Sequence, residues 1–281
     1  MTSIKAFIKR HPVLTYFALT FALSWGGVLL VIGGPGALPA TLEQFETLGP
    51  ILYLVMLVGP SVAGILLTGL VYGRTGFREL LSRLLSWRMG ARWYAMALLI
   101  APLSMMAVLF PLSLTAPIVA TEDKASALLT AIVAGLMVGI FEELGWTGFA
   151  IPRLRRRYGV LTAGLIVGLF WGAWHFLLFW ESDSFSGALG LALLLVRLFS
   201  WLPAYRVLMV WVYDRTQSLL VAMLMHASLV ASGPLLQPSL TGMPALTFTL
   251  VWAAALWLVV AAVAVANHGQ LSRQPLRRRT A

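Results

Sequence analysis

Eight apolar runs, each close to the roughly 20 residues a helix needs to cross a bilayer, occupy most of this chain and limit what it can fold into. They lie at Val13–Ile32, Ile51–Tyr72, Trp93–Leu114, Ala127–Ile151, Val160–Trp180, Ala188–Val212, Leu219–Leu236 and Ala245–Ala266. Composition agrees: 60% of the 281 residues are hydrophobic, 11% are charged, and the mean hydropathy is +0.88. A soluble domain of this length needs far more charge on its surface. The expected fold class is therefore all-α, a polytopic membrane helical bundle of about eight transmembrane helices. The first run follows Lys5, Lys9 and Arg10. It is longer than the ~7–15-residue core of a signal peptide and reads as a retained helix. With no cysteine, disulfides and thiolate metal sites are excluded.

Charge supplies an orientation. If the N-terminus is cytoplasmic and the eight spans alternate, the inner side holds Lys5, Lys9 and Arg10; Arg74, Arg78, Arg83, Arg88 and Arg92; Arg153, Arg155, Arg156 and Arg157; Arg215; and Arg273, Arg277, Arg278 and Arg279. That is seventeen of the twenty Lys and Arg residues. The outer side holds Lys124 together with Glu43, Glu46, Glu122, Asp123, Glu181 and Asp183. Every loop pair obeys the positive-inside rule, which places both termini in the cytoplasm. The net charge of +10 does not point to nucleic acid, because the basic residues punctuate apolar runs and accompany no phosphate loop or basic helix face. Lipid is the partner they suit.

The chain reads as a single membrane domain, 1–281, without repeats or low-complexity tracts. In Arg74–Arg92, Phe77, Leu80, Leu81, Leu84, Leu85 and Trp87 oppose Arg78, Arg83 and Arg88. This pattern predicts an amphipathic interfacial helix with its arginines toward anionic headgroups. A basic cytoplasmic tail follows over 267–281.

Ionisable side chains within a bilayer are costly, turn to the bundle interior and mark function. Here they are Glu142 and Glu143 in the fourth span, His175 in the fifth, Arg197 and Arg206 in the sixth, and His226 in the seventh. Adjacent on a helix, Glu142 and Glu143 project about 100° apart. One can address a reaction centre while the other braces it. The alternative is that both are structural, neutralised by Arg197 or Arg206. A lone His175 or His226 equally suits a hydrogen-bonded core. Together, carboxylates and two imidazoles on three helices make a minimal water-activating set.

These residues fall in a recognisable order. Phe141-Glu-Glu-Leu-Gly-Trp-Thr-Gly-Phe-Ala-Ile-Pro-Arg-Leu154, Trp171-Gly-Ala-Trp-His175 and His226-Ala-Ser resemble, in sequence, the three motifs of the CAAX-protease and bacteriocin-processing (CPBP) intramembrane protease family. The resemblance runs from about Gly73 to Ser232 and takes in the amphipathic segment. It implies a membrane endopeptidase, in a bacterial or archaeal plasma membrane, acting on a membrane protein or lipidated, CAAX-type peptide. It further implies that Glu142 activates water with His175, that Glu143 supports the site and that His226 stabilises the oxyanion. Glu142, His175 and His226 are a set that can hold a zinc ion or work on water without one.

Two positions depart from the family pattern. Its arginine, five after the first glutamate, falls on Thr147, and its asparagine, four after the third-motif histidine, falls on Val230. Arg197 or Arg153 is the expected replacement for the charge, and Ser228 or Ser232 for the amide. The departures also support a second reading, a catalytically silent scaffold or bacteriocin-immunity protein of the same fold. A proton-coupled transporter rests on the buried Glu and His alone and lacks inverted repeats. Straight helices with the ends given above would leave Glu142, His175 and His226 at different depths. Tilts, breaks at Gly145 and Gly148, or different helix ends are needed to bring them together.

Overall fold

The structure, a computed structural model, describes residues 2–113, 124–269 and 271. Glu122, Asp123, Leu114 at the end of the third expected span, and the tail arginines Arg273, Arg277, Arg278 and Arg279 lie outside the described residues. Every regular element among the described residues is helical. That follows from the solvent: hydrocarbon offers no partner to backbone N–H and C=O groups, and a helix pairs them within one segment.

The elements are α1 (Thr2–Arg10), α2 (Pro12–Ile32), α3 (Leu42–Leu67), α4 (Gly73–Leu84), α5 (Ala91–Ser113), α6 (Lys124–Gly145), α7 (Ile151–Leu154), α8 (Val160–Trp174), α9 (Phe176–Phe179), α10 (Ala188–Phe199), α11 (Leu202–Thr216), α12 (Leu219–Leu236) and α13 (Gly242–Ala266). Wider π-helical turns continue α3 over Thr68–Tyr72 and α6 over Trp146–Ala150. Seven helical stretches are long and apolar enough to cross a membrane, and α8 is a shorter apolar helix of 15 residues. The protein is an integral, multi-pass helical bundle. Leu30, Phe110 and Leu258 are exposed on its surface, as suits a bundle solvated by lipid.

Two expected spans are interrupted. The fifth stops as an α-helix at Trp174, with His175 at its C-cap and the separate turn α9 beyond. The sixth breaks at Ser200 and Trp201 into α10 and α11. The amphipathic segment is helical as α4 but ends at Leu84, short of the expected Arg92. Phe77 and Leu81 on α4 are exposed, whereas Leu80 packs on Leu219 and Met223.

The site sits among α6, α8, α11 and α12. α6 packs against α12 and α3, and α8 packs against α11. Glycine permits both close approaches: a Cβ at Gly139 of α6 would lie 2.5 Å from the Met223 carbonyl oxygen of α12, and one at Gly168 of α8 would lie 2.6 Å from Pro203 Cα of α11. In lipid, where burial gives little drive for helices to associate, such backbone contact is a main source of packing energy.

Candidate active site

The last turn of α6 carries the two glutamates, and helical spacing gives each a partner four residues on. Trp146 donates its indole N–H to Glu142 Oε2 at 3.2 Å, and the Thr147 hydroxyl donates to Glu143 Oε2. Both partners open the π-helical turn Trp146–Ala150, a departure from α geometry that recurs at functional sites.

The two carboxylates differ in what they face. Glu143 is fully buried, and both of its oxygens are taken. Arg206 Nη1 reaches Oε1 at 2.8 Å and Oε2 at 2.9 Å, and His226 Nδ1 donates to Oε1 at 2.7 Å. Glu142 retains 2% of its surface. Its Oε2 accepts from Trp146 and, at 2.7 Å, from Trp171 Nε1, while among the described residues none donates to its Oε1. Glu143 is tied to α11 and α12, and Glu142 to the indoles of Trp146 and Trp171.

His175 donates Nδ1–H to the Trp171 carbonyl at 2.8 Å. A carbonyl oxygen only accepts, so Nδ1 carries the proton, and Nε2 of the neutral ring presents a lone pair. The ring is held edge-on to Trp174 and stacked on Phe179, with centroids at 4.8 Å and 5.3 Å. His226, midway along α12, gives Nδ1–H to Glu143, which leaves its Nε2 as the available nitrogen. Its ring lies edge-on to Trp171 at 5.2 Å.

Trp171 thus joins the set. Its N–H holds Glu142, its carbonyl holds His175, and its ring meets His226 and, at 4.2 Å, the Arg206 guanidinium. In the sequence, Trp171 stands only as the aromatic of the second motif, and Trp146 has no assigned role. The available signal was position: Trp146 lies four residues after Glu142, and Trp171 four before His175. The three helices do converge. α6 leaves α geometry beyond Gly145 and α8 ends at Trp174, so the helix ends assumed from hydropathy are not the real ones.

The expected substitutes lie elsewhere. Arg197 pairs with Glu181 away from the site, because α10 is separated from α11 by the break at Ser200. Arg153 donates to the Gly148 and Phe149 carbonyls and stacks over Tyr72 and Phe149. The cation that meets Glu143 is Arg206. Ser228 donates to the Leu98 carbonyl and Ser232 to the Ser228 carbonyl, so neither hydroxyl supplies the missing amide. Each takes a backbone acceptor within reach rather than the site.

For a metal, the free donors are Glu142 Oε1, His175 Nε2 and His226 Nε2. Among the described residues no three His, Cys, Asp or Glu groups are arranged to hold an ion. The set has what hydrolysis by activated water asks for: a carboxylate oxygen without a donor, an imidazole lone pair and a second imidazole braced by an ion pair.

Comparison with known proteins agrees with the motifs. Residues 124–232 match the family model of the Rce1-like type II CAAX prenyl endopeptidases. The chain is 41% identical over 51 residues to CAAX prenyl protease 2 of Methanococcus maripaludis. That match covers 18% of this chain and 19% of the relative, about a fifth of its length.

Proposed function

We propose that the chain, whose residues 124–232 match the model of the Rce1-like type II CAAX prenyl endopeptidases, is an intramembrane endopeptidase. Its substrate is a membrane-associated protein or peptide carrying a lipid near the cut. The observation that carries this reading is the half-anchored Glu142, whose Oε2 is fixed by two indoles while no described residue donates to Oε1.

In the reaction a water lies between Glu142 Oε1 and His175 Nε2. Glu142 takes one proton as the water oxygen adds to the scissile carbonyl, and His175 accepts a hydrogen bond from the other. Positioned general-base catalysis of this kind contributes about 10²- to 10⁴-fold. Negative charge collects on the former carbonyl oxygen. His226 turns Nε2 toward it as a hydrogen-bond donor while its Nδ1–H rests on Glu143. Losing one such donor typically costs about 2.7–4 kcal/mol of transition-state stabilisation. Glu142 then returns its proton to the departing amine as the C–N bond breaks, leaving an amine and a carboxylic acid that keeps the water's second proton until it ionises. The residues present serve each step, and none is routed through a metal ion. The arginine-rich ends of the helices face the cytoplasm in this reading, as the positive-inside rule requires.

The test is direct. Purified protein, reconstituted in liposomes, is incubated with farnesylated CAAX peptides, and the products are identified by mass spectrometry. Release of a short C-terminal peptide supports the assignment. Peptides that stay intact under all conditions, lipidated or not, refute it.

A further inference from the structure

We propose that Arg206 is a positioning residue for hydrolysis: arriving from α11, its guanidinium fixes Glu143, and through Glu143 the imidazole of His226. This rests on the hydrolytic reading and deepens it.

Packing alone does not account for Arg206. The residue is fully buried, yet only Nη1 has acceptors, the two oxygens of Glu143. Nε and Nη2 are enclosed without a hydrogen-bond partner among the described residues. Buried N–H groups left unpaired cost stability, and replacing a buried ion pair by well-packed apolar side chains is often neutral or stabilising. A bundle that needed only to hold α8, α11 and α12 together would do so better without this cation. The guanidinium instead lies where it touches both halves of the site. On one side it holds the carboxylate that receives His226 Nδ1–H, and on the other it stacks at 4.2 Å on Trp171, whose N–H holds Glu142. Room for it is made by α8, where a Cβ on Gly168 would lie 3.3 Å from Arg206 Cβ.

Thr147 shows how the arrangement can be exchanged. Its hydroxyl donates to Glu143 Oε2, the same oxygen that Arg206 Nη1 reaches at 2.9 Å. Positions 147 and 206 therefore address one carboxylate oxygen from two helices. A guanidinium growing from position 147 would enter the space that the Arg206 side chain fills. The charge needed beside Glu143 is supplied across the bundle rather than from the same helix.

The experiment measures kcat, KM and unfolding temperature for the full chain in liposomes, with a farnesylated peptide as substrate. The variants are Arg206→Gln, Arg206→Lys, Arg206→Ala and Thr147→Arg/Arg206→Ala. A positioning role predicts that Arg206→Gln loses about 100-fold in kcat, the scale of a small misplacement of catalytic groups, with KM little changed. Arg206→Lys keeps the charge without the fork and falls between. Thr147→Arg/Arg206→Ala recovers kcat relative to Arg206→Ala. If Arg206→Gln does not fold, Arg206→Lys carries the same comparison, and a wild-type kcat there overturns the inference. It is also overturned if the transposed pair regains the wild-type unfolding temperature but not kcat, since Arg206 would then serve the fold only. A wild type that cleaves nothing refutes the hydrolytic reading itself. A cleaving wild type matched by Arg206→Gln refutes only the role of Arg206.

Discussion

Trp171 gives its indole N–H to Glu142 at 2.7 Å, from the last turn of α8. The bond anchors Oε2 and so determines which way the free Oε1 points. Trp171→Phe keeps an aromatic ring at the position and removes the donor along with the pyrrole part of the indole. A hydrogen bond to a charged group is worth about 1.5–3 kcal/mol, so kcat should fall about 10- to 150-fold. Steady-state kinetics on a lipidated peptide measures this. An unchanged kcat would mean that Trp146 alone orients the carboxylate.

The two glutamates should differ in what they do for the fold. Glu143→Ala strands the fully buried Arg206 and removes the acceptor of His226. Removing one partner of a buried ion pair typically costs about 3–5 kcal/mol. Glu142→Ala removes only an acceptor for two indoles. Thermal unfolding in one detergent should therefore place Glu143→Ala well below Glu142→Ala, with Glu142→Ala close to wild type. The reverse order would contradict the assignment of Glu143 as brace.

How the chain presents this site in sequence is uneven. Glu142, Glu143, His175 and His226 were readable because a charge or imidazole inside an apolar run is conspicuous. The membrane helices were readable because hydrocarbon thickness fixes their length; seven described stretches reach it, and α8, expected as a full span, is shorter. Trp146 and Trp171 were not, since a tryptophan in an apolar run signals packing, and the direction of its one N–H depends on the neighbouring helix. Arg206 was visible as a neutralising charge, but Arg197 and Arg153 were expected in the place of the family arginine. Arg197 and Arg206 are nine positions apart, which on an unbroken helix puts them about 180° apart, and the residues around both are apolar. Hydropathy gave no reason to choose which of the two faced the core. The break at Ser200 and Trp201 then separated them into different helices.

Chelation tests the chemistry from another side. With the His226 Nδ1–H given to Glu143 and Glu142 Oε2 held by indoles, the proposed steps use protein groups and water only. Cleavage should persist after dialysis against a zinc chelator such as 1,10-phenanthroline. Loss of activity that added zinc restores would instead assign Glu142, His175 and His226 as ligands.

The most direct measurement is cleavage of a farnesylated peptide by Glu142→Gln. This variant keeps the side-chain shape and can keep an oxygen toward Trp146 and Trp171, but it cannot take a proton from water. A wild-type unfolding temperature with hydrolysis reduced by about 10²-fold or more is expected. Glu142→Gln protein that cuts at the wild-type rate would contradict it.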